Sequence, residues 1–534
     1  MNSAPPVPQA CHLKPQASPS IMYDPAHLIE DLQQPSAYDH PADAVELIET
    51  HISWVLLAGE FTYKIKKPVD FGFVDFSTLE KRLNCCREEM RLNGRLAPQI
   101  YLEVVPAILD ETSKPRLFGT GTAIEYAVKM KRFSQDALFD KMLQRGELLP
   151  QHIDALAVEV AEFHRTTDVA TADDEYGGPQ AVWEPVAENF RHIPASSAYP
   201  QRTEQVELMH KAAEREFHSR GAIFRRRKST GMIRECHGDL HMGNMIVLDD
   251  SVVLFDCIEF NAGLRWIDVM SEIAFTVMDL EDRDRRDLAY RFLNAYLEQT
   301  GDYAGLEVLR YYLLYRATVR AKVAGLRLAQ EADAEARTTD DQLCQSYLDL
   351  AEQSLQKPPP RIVLTHGLSG SGKSTVSQEL LQILPAVRLR SDVERKRTYP
   401  DDKATDIRYS SAATAATYRQ MRDGVRAAIN GGFTAIADAT FLSRKRREEF
   451  RDLANELGAT LVILDITAPE EVLRQRVAAR AAAGKDVSEA GPSILERQLK
   501  QREALDVDEA AEVIEVDTSS PVDFQELAQR IHHL

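Results

Sequence analysis

At 534 residues the chain is several times the roughly 100 to 200 residues of one domain, so two or more multilayered domains are expected. Its composition, 44% hydrophobic and 28% charged, is that of a globular protein, and no run approaches the ~18 uninterrupted apolar residues of a membrane-spanning helix, which excludes an integral membrane protein. The net charge of −19 opposes a polyanionic partner, but residues 361–534 hold 25 basic and 27 acidic side chains, so nucleic acid stays open as a partner for that last third alone.

The opening stretch, MNSAPPVPQACHLKPQASPS, is rich in Pro, Ala and Ser and lacks the apolar core of a secretory signal. Residues 1–35 read as a disordered tail on a cytoplasmic protein. The six cysteines, Cys11, Cys85, Cys86, Cys236, Cys257 and Cys344, form no C-x-x-C pair, and reduced thiols are expected. HISWVLLAGEFTYKIKKPV predicts two strands around a turn at Gly59. A helix over 79–96 and strands over 101–109 and 123–130 follow. The pattern then turns helical: DALAVEVAEFHRTT places Leu156, Val160 and Phe163 near one face. Residues 36–335 are therefore expected to form an α+β domain, a strand-rich lobe followed by a helix-rich one.

HGDLHMGNMIVLDDSVVLFDCIEF, beginning at His237, is the first stretch with chemistry in it. Asp239 and Asn244 are five residues apart, and Asp256 ends the apolar run VVLFD. A tight turn at Asp249 and Asp250, with apolar strands on both sides, brings Asn244 beside Asp256. Two oxygen ligands so paired suit Mg2+ against phosphates, and Asp239 is placed to orient or deprotonate a hydroxyl.

A helical segment over 339–355 leads to the seam KPPP, residues 357–360, where three prolines favour an extended connector. Beyond it the apolar runs RIVLTHG, TAIADAT and TLVILDIT alternate with helical segments at 375–384 and 412–430, which predicts an α/β domain with a parallel sheet over 361–534. GLSGSGKST follows the first of these runs. Gly367, Gly372, Lys373 and Ser374 occupy the fixed positions of G-x-x-x-x-G-K-[ST], and the loop Gly367, Leu368, Ser369, Gly370, Ser371, Gly372, Lys373, Ser374 and Thr375 is expected to cradle the phosphates of a nucleotide. Its amides and the following helix N-terminus converge on polyphosphate, Lys373 neutralises charge, and Ser374 offers an oxygen to magnesium. In RLRSDVERKR, Asp392 is a candidate acceptor base and Arg395 a candidate grip on an anionic acceptor. Arg476 and Arg480, four apart on one helix face, are candidate lid residues over the phosphates. The run Arg444–Arg447 reads as a solvated face.

On these residues the last third resembles the small P-loop kinases that include polynucleotide 5′-kinases, zeta-toxin-like kinases and gluconate-type kinases. The resemblance implies roles for Asp392 with Arg395, for Asp438 in ADATFLSRKRR as an acceptor-binding residue, and for Arg476 and Arg480 in the lid. The first half, over about residues 40–330, resembles the aminoglycoside phosphotransferase family, whose members have a protein-kinase-like fold. H-G-D-x-x-x-x-N, Asp256, the LAVEVAEFH helix and IDVMSEIAF, with Asp268 at a structural position, carry that resemblance. It implies that Lys64 in TYKIKK is the ATP-phosphate lysine and Glu89 in CREEMRLN its partner; Lys66 or Lys67, and Glu88, are the alternatives. No G-x-G-x-x-G precedes Lys64, so any phosphate-covering loop is short or unusual, and DCIEF stands where D-F-G would, which favours a small acceptor over a protein. Both halves in this order resemble bacterial bifunctional aminoglycoside phosphotransferase and ATP-binding proteins. The implied activity is transfer of the γ-phosphate of ATP, with Mg2+, to hydroxyls of small molecules by both domains. Two alternatives are one catalytic domain regulated by nucleotide at the other, and a polynucleotide 5′-hydroxyl kinase in the last third.

Overall fold

The computed structural model describes residues 24–72, 74–330, 333–400, 410–483 and 491–534. Two compact units emerge, the chain up to Ser134 together with Glu259–Asn261, and Gln135–Ile258 together with Ala262–Leu534.

Among the described residues, the first unit is built on a six-stranded antiparallel sheet in the order β1-β2-β3-β6-β4-β5. The strands are β1 (Val45–Glu49), β2 (Ser53–Ala58), β3 (Phe61–Lys66), β4 (Tyr101–Leu109), β5 (Pro115–Arg116) and β6 (Ala123–Lys131). The expected turn at Gly59 is a two-residue hairpin, with Ala58 paired to Phe61. Gly59 has φ +57°, and a Cβ there would lie 2.3 Å from the Pro41 carbonyl oxygen, so only glycine fits. The expected disordered tail is overturned for its last part. Helix α1 (Pro25–Leu32) buries Leu28, Ile29 and Leu32 against the sheet's hydrophobic core, a gain that the proline-rich composition around it concealed. Residues 1–23, with Cys11, lie outside the described residues. Helix α2 (Leu79–Asn93) is capped by the Thr78 side chain, and its inward face carries Arg82, Cys86 and Glu89, so charge as well as apolar surface is taken inside.

In the second unit a helical part comes first: α3 (Phe139–Gln144), α4 (Pro150–Thr166), α5 (Pro179–His192), α6 (Arg202–Ser219) and α7 (Gly221–Ser229). Leu156, Val160 and Phe163 are buried on α4, as their spacing predicts. The short strands β7 (Ile233–Glu235) and β10 (Trp266–Asp268) pair with each other, and β8 (Met245–Leu248) pairs with β9 (Ser251–Leu254) in a hairpin. Helix α8 (Val269–Asp282) is buried along nearly its whole length. It is followed by α9 (Arg286–Thr300), α10 (Leu306–Gln330) and α11 (Ala334–Leu355). Asp268 has the structural role that the resemblance implied: it caps α8 through the Met270 amide at 2.9 Å and receives two bonds from the buried Arg227 guanidinium.

After the prolines a five-stranded parallel sheet runs in the order β12-β13-β11-β14-β15, with β11 (Arg361–His366), β12 (Ala386–Arg390), β13 (Thr434–Asp438), β14 (Thr460–Thr467) and β15 (Val513–Asp517). Every residue of β11 and β13 is buried, as in a sheet covered on both faces. Among the described residues the helices here are α12 (Lys373–Ile383), α13 (Ser391–Thr398), α14 (Ser411–Asn430), α15 (Arg444–Leu457), α16 (Glu470–Ala483), α17 (Pro492–Gln501) and α18 (Phe524–His533). No helix among the described residues is long and apolar enough to cross a membrane. None of Cys85, Cys86, Cys236, Cys257 and Cys344 is in a disulfide.

The run Arg444–Arg447 is a solvated face only in part: Lys445 is exposed and Arg444 half-exposed, but Arg447 is not. Arg447 is fully buried and makes a two-bond pair with Glu509 at 2.7 and 2.9 Å, while Arg444 reaches Glu448, Asp506 and Asp508. Helical phase turns Arg447 inward to the chain that leads into β15. Arg447→Met leaves the buried Glu509 with only Arg451, at 3.7 Å, as a cation, which should cost about 3 kcal/mol. A lowered midpoint in urea unfolding is the expected result, and adding Glu509→Met should recover most of the loss, since the poorly paired charge is then gone.

Candidate active sites

In the first unit the alternation of β3 separates the candidate lysines. Lys64 and Lys66 share one face and Lys67 takes the other. Glu89 on α2 receives both Lys64, at 2.9 Å, and Lys66, at 2.5 Å, whereas Lys67 pairs with Glu49 and Glu88 with Arg91. Lys66 is the buried member, and its ammonium also pairs with Glu259. Burial opposes ionisation here, but Glu259 and Glu89 lift Lys66 above the ordinary lysine range, and Lys64 and Lys66 hold Glu89 well below the ordinary carboxylate range. The cluster therefore stays charged, with Lys64 at its more exposed end. The connections before Lys64 are short, residues 50–52 and 59–60, in keeping with the missing glycine-rich loop. Lys66, an alternative to Lys64 in the sequence, sits instead beside it on the same carboxylate, and Glu259 escaped the sequence reading. The signal that could have found Glu259 is its place in DCIEF, an acidic residue in an otherwise apolar run.

In the second unit the HGD segment is braced from beneath. The Glu272 carboxylate on α8 accepts the amides of His237, at 2.6 Å, and Gly238, at 3.0 Å. Arg316 on α10 donates to the Gly238 carbonyl at 3.0 Å, and Met242 N–H to Asp279 at 2.8 Å. Gly238 has φ +89°, and a Cβ there would meet the Leu264 carbonyl oxygen at 2.9 Å. On this support Asn244 donates its side-chain amide to the Asp239 carbonyl at 3.0 Å and carboxylate at 3.1 Å. Its own carbonyl oxygen is thereby turned away from Asp239. The expected hairpin is present: Asp249 and Asp250 both adopt positive φ, and Met245 pairs with Leu254. Phe255 N–H reaches the Asn244 carbonyl at 3.1 Å, which sets Asp256 beside Asn244 at the hairpin's open end. A side-chain carbonyl and a carboxylate are hard oxygen donors of the kind magnesium takes.

Asp239 itself lies 3.3 Å from His241. Burial raises its pKa, but His241, His237 and Arg320 overcome that and hold the carboxyl below the usual range. A carboxylate so stabilised is a weak proton acceptor, suited to orienting a hydroxyl and taking its proton late.

The parallel sheet gathers the other candidates. Lys373, Ser374, Asp392, Arg395, Asp438, Arg476 and Arg480 all line one cavity of about 700 Å3 with the Ser369–Gly370 and Thr375 portions of the loop. Gly367 follows β11 with φ +149°, where a Cβ would meet the Ile466 carbonyl oxygen at 2.3 Å, so the loop turns tightly over β14. Leu368 anchors it in an apolar cluster with Leu473, Val477 and Leu495. Gly372 adopts φ +91° as the N-cap of α12, and Ser371 is buried beside it. Lys373 donates to the Leu368 carbonyl at 2.8 Å. Asp438 ends β13 and accepts the Ser377 hydroxyl at 2.9 Å. Arg395 pairs with Asp392 at 2.9 Å, so the candidate acceptor grip and the candidate base are one unit. Arg476 is tied to Thr518 and lies 3.3 Å from the Gly370 carbonyl, which fixes α16 to the loop. Arg390 and Tyr418, missed in the sequence, line the same cavity.

Residues 85–312 match the family described as the phosphotransferase enzyme family, and residues 362–505 match the AAA domain. Three uncharacterised proteins, one from Mycobacterium bovis and two from strains of Mycobacterium tuberculosis, are each 31% identical over 457 residues, covering 83% of this chain and 88% of the relative. Among solved structures, an ethanolamine kinase of Plasmodium vivax is 12% identical over 58% of this chain and 83% of its own, with a TM-score of 0.36. A gluconokinase of Sinorhizobium meliloti is 20% identical over 33% of this chain and 92% of its own, with a TM-score of 0.26.

Lys373, half-buried in the cavity wall, yields a pH dependence. Burial lowers its pKa from 10.5 to about 8, Arg480 adds to that, and Asp438 and Asp392 oppose it. Above pH 8 the ligand-free ammonium loses its proton, and bound polyphosphate draws it back. ADP binding that depends on Lys373 should therefore weaken as pH rises through 8 and take up protons. Calorimetry at pH 9 in buffers of differing ionisation enthalpy should show that uptake; a heat independent of buffer would refute it.

Proposed function

Because the chain belongs to the family of its mycobacterial relatives, and is a phosphotransferase that joins two kinase-like domains, we propose that it is a bifunctional ATP-dependent kinase. Each domain, over residues 36–335 and 361–534, transfers the γ-phosphate of ATP to a hydroxyl of a small molecule. One observation carries this reading: each candidate base stands in its own network. Asp239 is joined to Asn244 and His241, whereas Asp392 lines the cavity of Lys373 and is paired with Arg395.

In the first domain Asp239 orients the acceptor hydroxyl and receives its proton as the bond to phosphorus forms. The Lys64 ammonium, aligned by Glu89, holds phosphate oxygens, and the Glu272 brace keeps the Asp239 backbone from shifting as charge moves. In the second, the loop amides and Lys373 hold the β and γ phosphates, Asp392 orients the acceptor, and Arg480 adds positive charge where negative charge accumulates. Asn244 with Asp256, and Ser374 in the second domain, are the residues that would hold magnesium, which when bound supplies charge neutralisation across the phosphates. Small acceptors are favoured over nucleic acid, because Arg444, Arg446 and Arg447 are spent on pairs within the protein and form no patch for a phosphate backbone.

The test feeds labelled ATP and a metabolite extract to the full chain. Asp239→Asn should reduce one phosphorylation by roughly 100- to 10,000-fold and leave a second, and Lys373→Ala should do the reverse. Loss of all turnover from either change alone would refute two independent activities.

A further inference from the structure

The second unit packs the helical part of the phosphotransferase half and the parallel sheet together; α10 takes part in the contact, through Arg310 and the Gly432 carbonyl at 2.7 Å, and α9 meets the edge of the sheet. Strand β12 is the outer strand of the parallel sheet. An outer strand leaves backbone N–H and C=O groups without a neighbour. The Asn294 side chain of α9 meets two of them: it donates to the Ala386 carbonyl at 2.9 Å and accepts the Arg388 amide at 2.6 Å. One turn further along α9, Glu298 receives two arginines from the same strand. Arg388 reaches its Oε1 at 2.8 Å and Arg390 its Oε2 at 3.3 Å. The α9 C-terminus also accepts the Arg397 guanidinium, at 2.6 Å on the Glu298 carbonyl, and Arg397 belongs to α13, the helix that carries Asp392.

Both arginines lead directly into the nucleotide cavity. Arg388 lies 3.3 Å from the Ser374 carbonyl and 3.3 Å from the Ser377 hydroxyl, and that hydroxyl holds Asp438. Arg390 lines the cavity beside Lys373 and Asp392. These side chains are largely buried, with Arg388 5% exposed and Glu298 and Arg390 each 15% exposed. At such burial a carboxylate between two guanidinium groups fixes their direction, because little water is left to compete as a partner.

We propose that Glu298, a residue of the phosphotransferase half, is a positioning residue of the P-loop site: it aims Arg390 into the cavity and sets Arg388 under the first turn of α12. Asn294 and the α9 carbonyls hold the strand and helix that carry Asp392, so the second site is incomplete without the first half. This rests on the reading of the P-loop as a nucleotide site. Nucleotide bound there is energetically linked to the packing of α9.

The experiment uses the full chain and Mg-ADP as the probe, with the P-loop component defined as the binding that Lys373→Ala removes. Glu298→Gln, which keeps shape and removes charge, should weaken that component by about 5- to 100-fold. It should raise the ATP KM of the Lys373-dependent phosphorylation more than it lowers kcat, and leave the Asp239-dependent phosphorylation unchanged. Glu298→Asp should recover part of the affinity, a recovery that lost packing alone does not produce. In an Arg388→Gln/Arg390→Gln background, Glu298→Gln should cause no further loss. Unchanged affinity in Glu298→Gln, a fully additive loss in the triple variant, or an equal fall of both activities would each overturn the proposal. ADP binding untouched by Lys373→Ala would overturn the P-loop reading itself, a result distinct from failure of the Glu298 link.

Discussion

Charge that has been withdrawn from water must be paired, and the candidate sites of this protein are arranged on such pairs. Glu89 between Lys64 and Lys66 is the clearest case. With one carboxylate for two ammonium groups the balance would be wrong, and Glu259 restores it. The consequence is geometric. Lys66 is locked in the interior, so Lys64 is presented from a fixed strand by a carboxylate that cannot rotate away. The same constraint recurs under the HGD segment, where the Glu272 carboxylate is satisfied by two backbone amides and thereby defines the path of the chain into Asp239.

How much of this was legible in the sequence depends on the range of the interaction. Elements governed by local pattern were readable: β2, β3, β4, β11, β13 and β14 came from short apolar runs, and α4 from its helical spacing. The geometry of the two candidate segments was readable too, because HGDLHMGN and GLSGSGKST confine their pattern within a few residues. Interactions made at a distance were not. Nothing local to IKK says that Lys66 goes inside, and the choice was made by Glu89 and Glu259. Arg447 looked solvated because its run is basic, yet its partner Glu509 lies 62 residues away. Helix α1 was concealed in the same way, since its apolar residues acquire meaning only against the sheet.

Helix α9 shows where a sequence signal existed and went unused. Leu288, Ala289, Tyr290, Phe292, Leu293, Asn294, Tyr296 and Leu297 are all buried, so the helix is covered on nearly every side. A surface helix has one apolar stripe; one that is apolar around most of its circumference has two bodies to pack against. RDLAYRFLNAYLEQT carries that mark. Glu298 does not, being one acidic residue among 83.

The edge of the parallel sheet explains why the two halves are found together in this way. In a sheet that ends on an open strand, backbone groups of that strand either face water or recruit another element. Here they recruit Asn294, whose amide offers a donor and an acceptor on one planar group, the same pair that a neighbouring strand would supply. Two hydrogen bonds of this kind fix the register of α9 along β12 to a single residue, and only that register brings Glu298 level with Arg388 and Arg390 on the same face of the strand. The seam at KPPP therefore separates the chain in sequence without separating it in structure. The prolines let the polypeptide cross from α11 to β11, while contacts between the halves are made elsewhere, among them a buried asparagine and a carboxylate that answers two cations.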